Sequence, residues 1–89
     1  MINAMKQYTY DAKYDVLYIS LGKGEVARTE MLGPDELRQV DYDISGRPLG
    51  VELFGVKKGV DLVGLPESDA IAEVIAHLGL KVLDSHKND

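Results

Sequence analysis

The chemistry this chain could perform is concentrated in its carboxylates. Asp41, Asp43, Ser45, Gly46 and Glu52 fall at the first, third, fifth, sixth and twelfth positions of a calcium-binding EF-hand loop. In that motif acidic oxygens and a backbone carbonyl wrap one hard cation, and the glycine permits the sharp turn. The flanks do not fit. An EF-hand needs a helix on each side, yet only Asp35 to Val40 separates Pro34 from the loop. Downstream, Gly50, Gly55 and Gly59, interspersed with β-branched Val51, Val56 and Val60, argue against an exit helix. Pro48 also removes a backbone N–H from the loop. A hairpin turn is therefore the expected reading, with no metal or cofactor. Asp41, Asp43, Ser45 and Glu52 remain the alternative metal- or small-molecule-binding set.

The other candidates reduce in the same way. Asp11, Asp15, Asp41, Asp43 and Glu52 could converge as paired carboxylates, but turn capping and cross-strand pairing with Arg47 or Arg38 account for them. His77 lies beside Leu78 on an expected helix without an obvious partner, and His86 lies close to the end of the chain. With no Cys, thiolate zinc sites, disulfides and a Cys nucleophile are excluded. Gly22-Lys23-Gly24 is too short to cradle a phosphate and reads as a tight connection, and Lys57-Lys58 reads as a solvated pair. No catalytic residue is expected, and the chain is not expected to be an enzyme.

Composition narrows the class further. The 89 residues carry 45% hydrophobic side chains and a formal net charge of −5. That suits one domain spanning the whole chain, with an ordered core over residues 7–83 and a tail over 84–89. The negative charge disfavours a phosphate backbone as ligand and fits a basic protein partner. No apolar run approaches membrane-span length, and Met1 to Lys6 has no apolar core of a signal peptide, so a cytoplasmic protein is expected.

The elements that must position these groups follow from periodicity. Gln7 to Tyr10 reads as a short strand with Tyr8 and Tyr10 on one face, followed by a polar turn without glycine, Asp11 to Asp15. Val16 to Leu21 is a strand with Leu17, Ile19 and Leu21 on one face and Val16, Tyr18 and Ser20 on the other. Glu25 to Met31 lacks a clear apolar face, which marks an edge or half-exposed strand. Consecutive strands with tight connections predict a meander here. Gly33 to Glu36 breaks it, and a central hairpin follows from about Leu37 to Phe54. If Val40 and Tyr42 share the core face with Leu49, Val51 and Leu53, even numbers must pair with odd ones. A four-residue loop, Asp43 to Gly46, does that.

Glycines then punctuate a connection with buried anchors. Pro66 suits a first helical turn, and Ile71, Val74, Ile75 and Leu78 line one helix face, with Gly79 as a left-handed cap. Leu80 to Leu83 is either a terminal strand or a docking contact. The fold class is thus α+β: a small antiparallel sheet of about five strands, a meander plus a hairpin, with one C-terminal helix packed on it. One helix covers one sheet face. Tyr8, Tyr10, Tyr18, Val16 and Phe54 would leave the other partly apolar, so a homodimer is expected, with Tyr18 or Phe54 near the contact and negative charge on the rim.

The order of these pieces resembles a known family. Tyr10-Asp11, then Asp15 to Ile19, Glu25 to Glu30, Val40 to Asp43 with Gly46-Arg47, Gly50 to Leu53, Gly59 to Leu62 and Gly64 to Pro66 are similar to the small prokaryotic proteins grouped as domain of unknown function 2283. Tyr14, where a small residue is expected, and the long Gly33 to Glu36 connection are local departures. The resemblance implies no catalytic residues; it implies at most membership of a small toxin–antitoxin-like gene pair. The function expected is a non-enzymatic protein-interaction module, a homodimer and an antitoxin-like partner of a basic protein.

Overall fold

The computed structural model describes residues 5–83. The lead-in ahead of Met5 and the tail with His86 lie outside the described residues. β1 (Tyr8–Asp11) and β2 (Val16–Ser20) form an antiparallel hairpin. Its turn is held by Asp11, whose Oδ1 accepts the backbone N–H groups of Lys13 and Tyr14 at 3.0 and 3.1 Å. Asp15 takes the left-handed conformation, φ 57°, that this glycine-free turn requires.

The chain then departs from the expected meander. β3 (Arg28–Leu32), β4 (Arg38–Tyr42) and β5 (Pro48–Phe54) run as consecutive antiparallel neighbours, but the strand order is β1-β2-β5-β4-β3. β2 pairs with β5, and Gly22-Lys23-Gly24 belongs to a crossing segment, not to a hairpin. This is a Greek-key order. Burial explains the choice. β5 sets Leu53 and Val51 opposite Leu17 and Ile19 of β2, and all four are essentially inaccessible. β3, with Arg28 and Glu30 on one side and Thr29 and Met31 on the other, is exposed along most of its length and takes an edge. Backbone bonds from Leu21 and Gly22 to the Leu49 carbonyl, and from Ala27 to the Tyr42 carbonyl, tie the crossing to the end of the central hairpin.

That hairpin keeps the expected parity by a different route. Asp43 and Arg47 close a three-residue loop, with the Asp43 N–H donating to the Arg47 carbonyl at 2.9 Å and Gly46 at φ 88°. Such a loop alone would set Val40 opposite Gly50. A β-bulge between Asp41 and Tyr42 absorbs one residue of β5, so Val40 faces Val51 and Arg38 faces Leu53. The core face is thereby unbroken through the strand centre.

Beyond β5, a single 3-10 turn (Val56–Lys58) leads to β6 (Val60–Asp61). Arg38 pins the next segment: its guanidinium donates to the Asp61 carbonyl at 3.0 Å and to the Val63 carbonyl. Helix α1 (Ser68–His77) begins after Pro66, which lies in the preceding turn and not in the helix, because Glu67 adopts φ 49° at the boundary. Ile71, Val74 and Ile75 are fully buried against the sheet, as their spacing requires. Gly79, at φ 74°, ends the helix: its N–H reaches the Ala76 carbonyl and the Leu80 N–H reaches the Ile75 carbonyl, a Schellman motif. Leu80 packs on the core, and Val82–Leu83 forms β7, parallel to β6, which resolves the two readings of this stretch.

Candidate functional site

Cross-strand register sorts the side chains onto two faces. The helix side holds the core, including Leu17, Ile19, Val40, Val51 and Leu53. Tyr8 and Tyr10 belong to this side, since they stand opposite Ile19 and Leu17 and pack on the core; they do not contribute to the open face as expected. The open face carries Thr9 and Asp11 from β1, Val16, Tyr18 and Ser20 from β2, and Gly50, Glu52 and Phe54 from β5. β4 adds Gln39 and Asp41, and β3 adds Thr29 and Met31. Neither α1 nor the segment leading to it is on this side.

Tyr18 is the centre of the open face. Gly50 lets its ring lie across β5: a Cβ at Gly50 would stand 1.8 Å from the Tyr18 hydroxyl. The hydroxyl thus reaches over to β4 and donates to Asp41 Oδ2 at 3.2 Å, while Thr29 on β3 donates to Asp41 Oδ1 at 2.6 Å. Partial burial and the nearby carboxylates of Asp41 and Glu52 hold the Tyr18 hydroxyl above its ordinary pKa. Phe54 stands directly opposite Val16 at the other end, and Glu52 opposite Tyr18. The expected interface residues therefore share one face. The negative charge is not confined to its rim, because Asp41 and Glu52 lie on the inner strands β4 and β5.

The candidate metal ligands do not converge. Asp43 turns into its own loop: Oδ1 accepts the N–H groups of Ser45 and Arg47, both at 2.9 Å, and Oδ2 accepts Arg47 Nε at 3.1 Å. The Arg47 N–H above all, with the Ser45 N–H and the guanidinium, outweighs burial and holds the carboxyl below the usual range. Ser45 contributes its backbone to this turn, and Asp41 is engaged with Tyr18 and Thr29. Among the described residues no group of three or more His, Asp or Glu is placed to hold a metal ion.

Of the other candidate groups, Asp15, Arg38, Arg47 and His77 have structural partners, whereas Glu52 has no side-chain hydrogen bond or ion pair among the described residues. Asp15 accepts the Tyr10 hydroxyl at 2.7 Å and the Lys57 N–H at 3.0 Å, tying the first hairpin to the 3-10 turn. Burial pushes its carboxyl up, but those two bonds and the charges of Lys57 and Lys58 bring it below the ordinary value. Arg38, a possible partner for the acids, is spent on carbonyls, whereas Arg47 pairs with Asp43. His77 is exposed and meets Tyr8 edge-on at 6.2 Å between ring centres. Sequence reasoning missed a cleft of about 430 Å3 where the open face meets the β1 edge of the sheet, lined by Thr9, Tyr10, Asp11, Tyr14, Val16, Tyr18 and Glu52. Gly50 inside a strand was the local signal for the close approach of Tyr18, though not for the cleft itself.

No curated protein and no solved structure matches this chain. A family model described as Protein of unknown function (DUF2283) matches residues 7–57, the segment that runs from β1 to the 3-10 turn and contains the whole five-stranded sheet. That sheet, with its open face and its Asp43 turn, is what the match covers, and the chain belongs to the DUF2283 family.

Proposed function

We propose that this protein is a non-enzymatic interaction module that receives a basic protein on the open face of its sheet. One observation carries the reading: the strand positions of that face combine Val16, Tyr18 and Phe54 with three carboxylates, Asp11, Asp41 and Glu52, and include no Lys or Arg. Aromatic anchors supply contact area, and the uncompensated charge selects a positive partner and speeds encounter. The net charge of −5 has the same sense. A neutralising, antitoxin-like role for a basic protein falls within this reading, as does a cytoplasmic setting.

A homodimer through the same face is the second reading. Val16 and Phe54, directly opposite each other, form a small apolar patch at the end of the face away from Gly50. A two-fold contact seated there would keep Asp41 outward. A contact centred on Tyr18 would instead bring Asp41 and Glu52 towards their own copies, which costs the desolvation of like charges.

Titration of the isotope-labelled protein with a cationic polypeptide, followed by amide shifts, tests the first reading. Shifts confined to β1, β2, β5 and β4 support it. Shifts spread over the helix carboxylates Asp69 and Glu73 would show plain charge attraction and overturn it.

A further inference from the structure

We infer that the cleft between Tyr14 and Tyr18 takes an arginine side chain of the partner; this rests on reading the open face as the partner surface. Three tyrosines, Tyr10, Tyr14 and Tyr18, line this hollow of about 430 Å3 together with the carboxylates Asp11 and Glu52. Glu52 is half-buried on central strand β5 and has no side-chain hydrogen bond or ion pair among the described residues. Its neighbours on this face offer no cation: Tyr18 on β2 and Gln39 on β4 stand opposite it, and Gly50 and Phe54 flank it along β5. Asp11 spends Oδ1 on two turn N–H groups and keeps Oδ2 available.

The aromatic lining already shows an attraction for positive charge. The chain's own Lys13 places its ammonium 5.2 Å from the centre of the Tyr14 ring. Tyr18 reaches over Gly50 to bond Asp41, so it is held in place and offers a fixed aromatic surface. A planar guanidinium can stack on a tyrosine while its edge donates to a carboxylate such as Glu52. An ammonium can do only one of these well. The chemistry therefore favours arginine over lysine.

The test is an amide-shift titration with a capped peptide of alternating arginine and glycine, repeated with its lysine and citrulline counterparts. The expected result is saturable shifts at Thr9, Val16 and Glu52. E52Q and Y14A should each weaken binding about fivefold, the size of one partly exposed charge or cation–π contact. D11N, which can still cap its turn, should weaken it in the same sense, whereas E73Q on the exposed side of α1 should not change it. The amide spectrum of each variant reports whether the fold is kept, and Y14A alters a largely exposed side chain.

Equal affinity for the lysine or citrulline peptide overturns the inference, as does E52Q binding as tightly as the parent. If E52Q and Y14A are silent while shifts persist along Tyr18 and Phe54, the arginine cleft fails and the open-face reading stands. Shifts centred on Asp69 and Glu73 would sink both.

Discussion

At the residue scale, single positions hold the backbone where side chains could not persuade it. Gly46 has φ 88° and open space around it, so a substitution there meets backbone strain and no clash. Gly46→Val should lower stability by about 1 kcal/mol or more, since a β-branched residue resists that conformation. An unchanged urea midpoint would refute it. Asp43 and the tyrosines give the pH dependence a definite sign. The Asp43 carboxyl titrates below its unfolded value of about 3.9. Its stabilising contribution is complete above that value and is lost as pH falls through the lower folded one. The Tyr10 hydroxyl, raised chiefly by its bond to Asp15, and the Tyr18 hydroxyl, raised chiefly by burial, act at the other end. Their contribution is complete below the ordinary tyrosine value of 10.0 and is lost as pH rises through the raised ones. Urea midpoints measured across pH should form a plateau with two falling limbs. Asp43→Asn should flatten the acid limb and Tyr18→Phe the alkaline one. A variant that leaves its limb unaltered would remove that group from the account.

At the element scale, α1 tests what keeps a short helix formed. It spans 10 residues, a length that is marginal in water without tertiary contacts. Its boundary residue Glu67 makes no side-chain cap, so the first turn adds little. The packed face must dominate. Ile75→Ala, at a fully buried position, should cost about 3 kcal/mol through lost burial and a residual cavity. Gly79→Ala, at φ 74° with nothing near its would-be Cβ, should cost about 1 kcal/mol of strain. Chemical denaturation of both variants checks the ranking, and the reverse order would place helix stability in the cap.

At the scale of the whole molecule, the sheet is two-faced with one face covered. The covered side excludes water from Leu17, Ile19, Val51, Leu53, Ile71 and Ile75. The open side is a mixture of aromatic, small and acidic groups, with Tyr18 tied down by Asp41. Static light scattering at micromolar concentration should return a monomer mass for the isolated protein, since the carboxylates near Tyr18 oppose self-association there. A dimer mass that Phe54→Ser abolishes and Tyr18→Phe preserves would favour the two-fold contact at Val16 and Phe54.

Much of this molecule is legible in the sequence, wherever a local period or a backbone requirement speaks for itself. The alternation in Val16 to Leu21, the helix face of Ile71, Val74, Ile75 and Leu78, the edge character of Arg28 and Glu30, and the cap at Gly79 all depend on neighbours within a turn or a strand. Family membership was legible for the same reason, as an ordered series of short local pieces. Tertiary structure alone decided which strand lies beside β2, because the contest between β3 and β5 turns on the burial of Leu53 and Val51, far along the chain. It also decided that a bulge at Asp41 restores the register, that Tyr8 and Tyr10 face the core, and that Arg38 serves two carbonyls. The bond from Tyr18 across Gly50 to Asp41 joins residues 23 positions apart on strands that are not adjacent. No local pattern encodes such a contact; it exists only after β5 has entered the sheet between them.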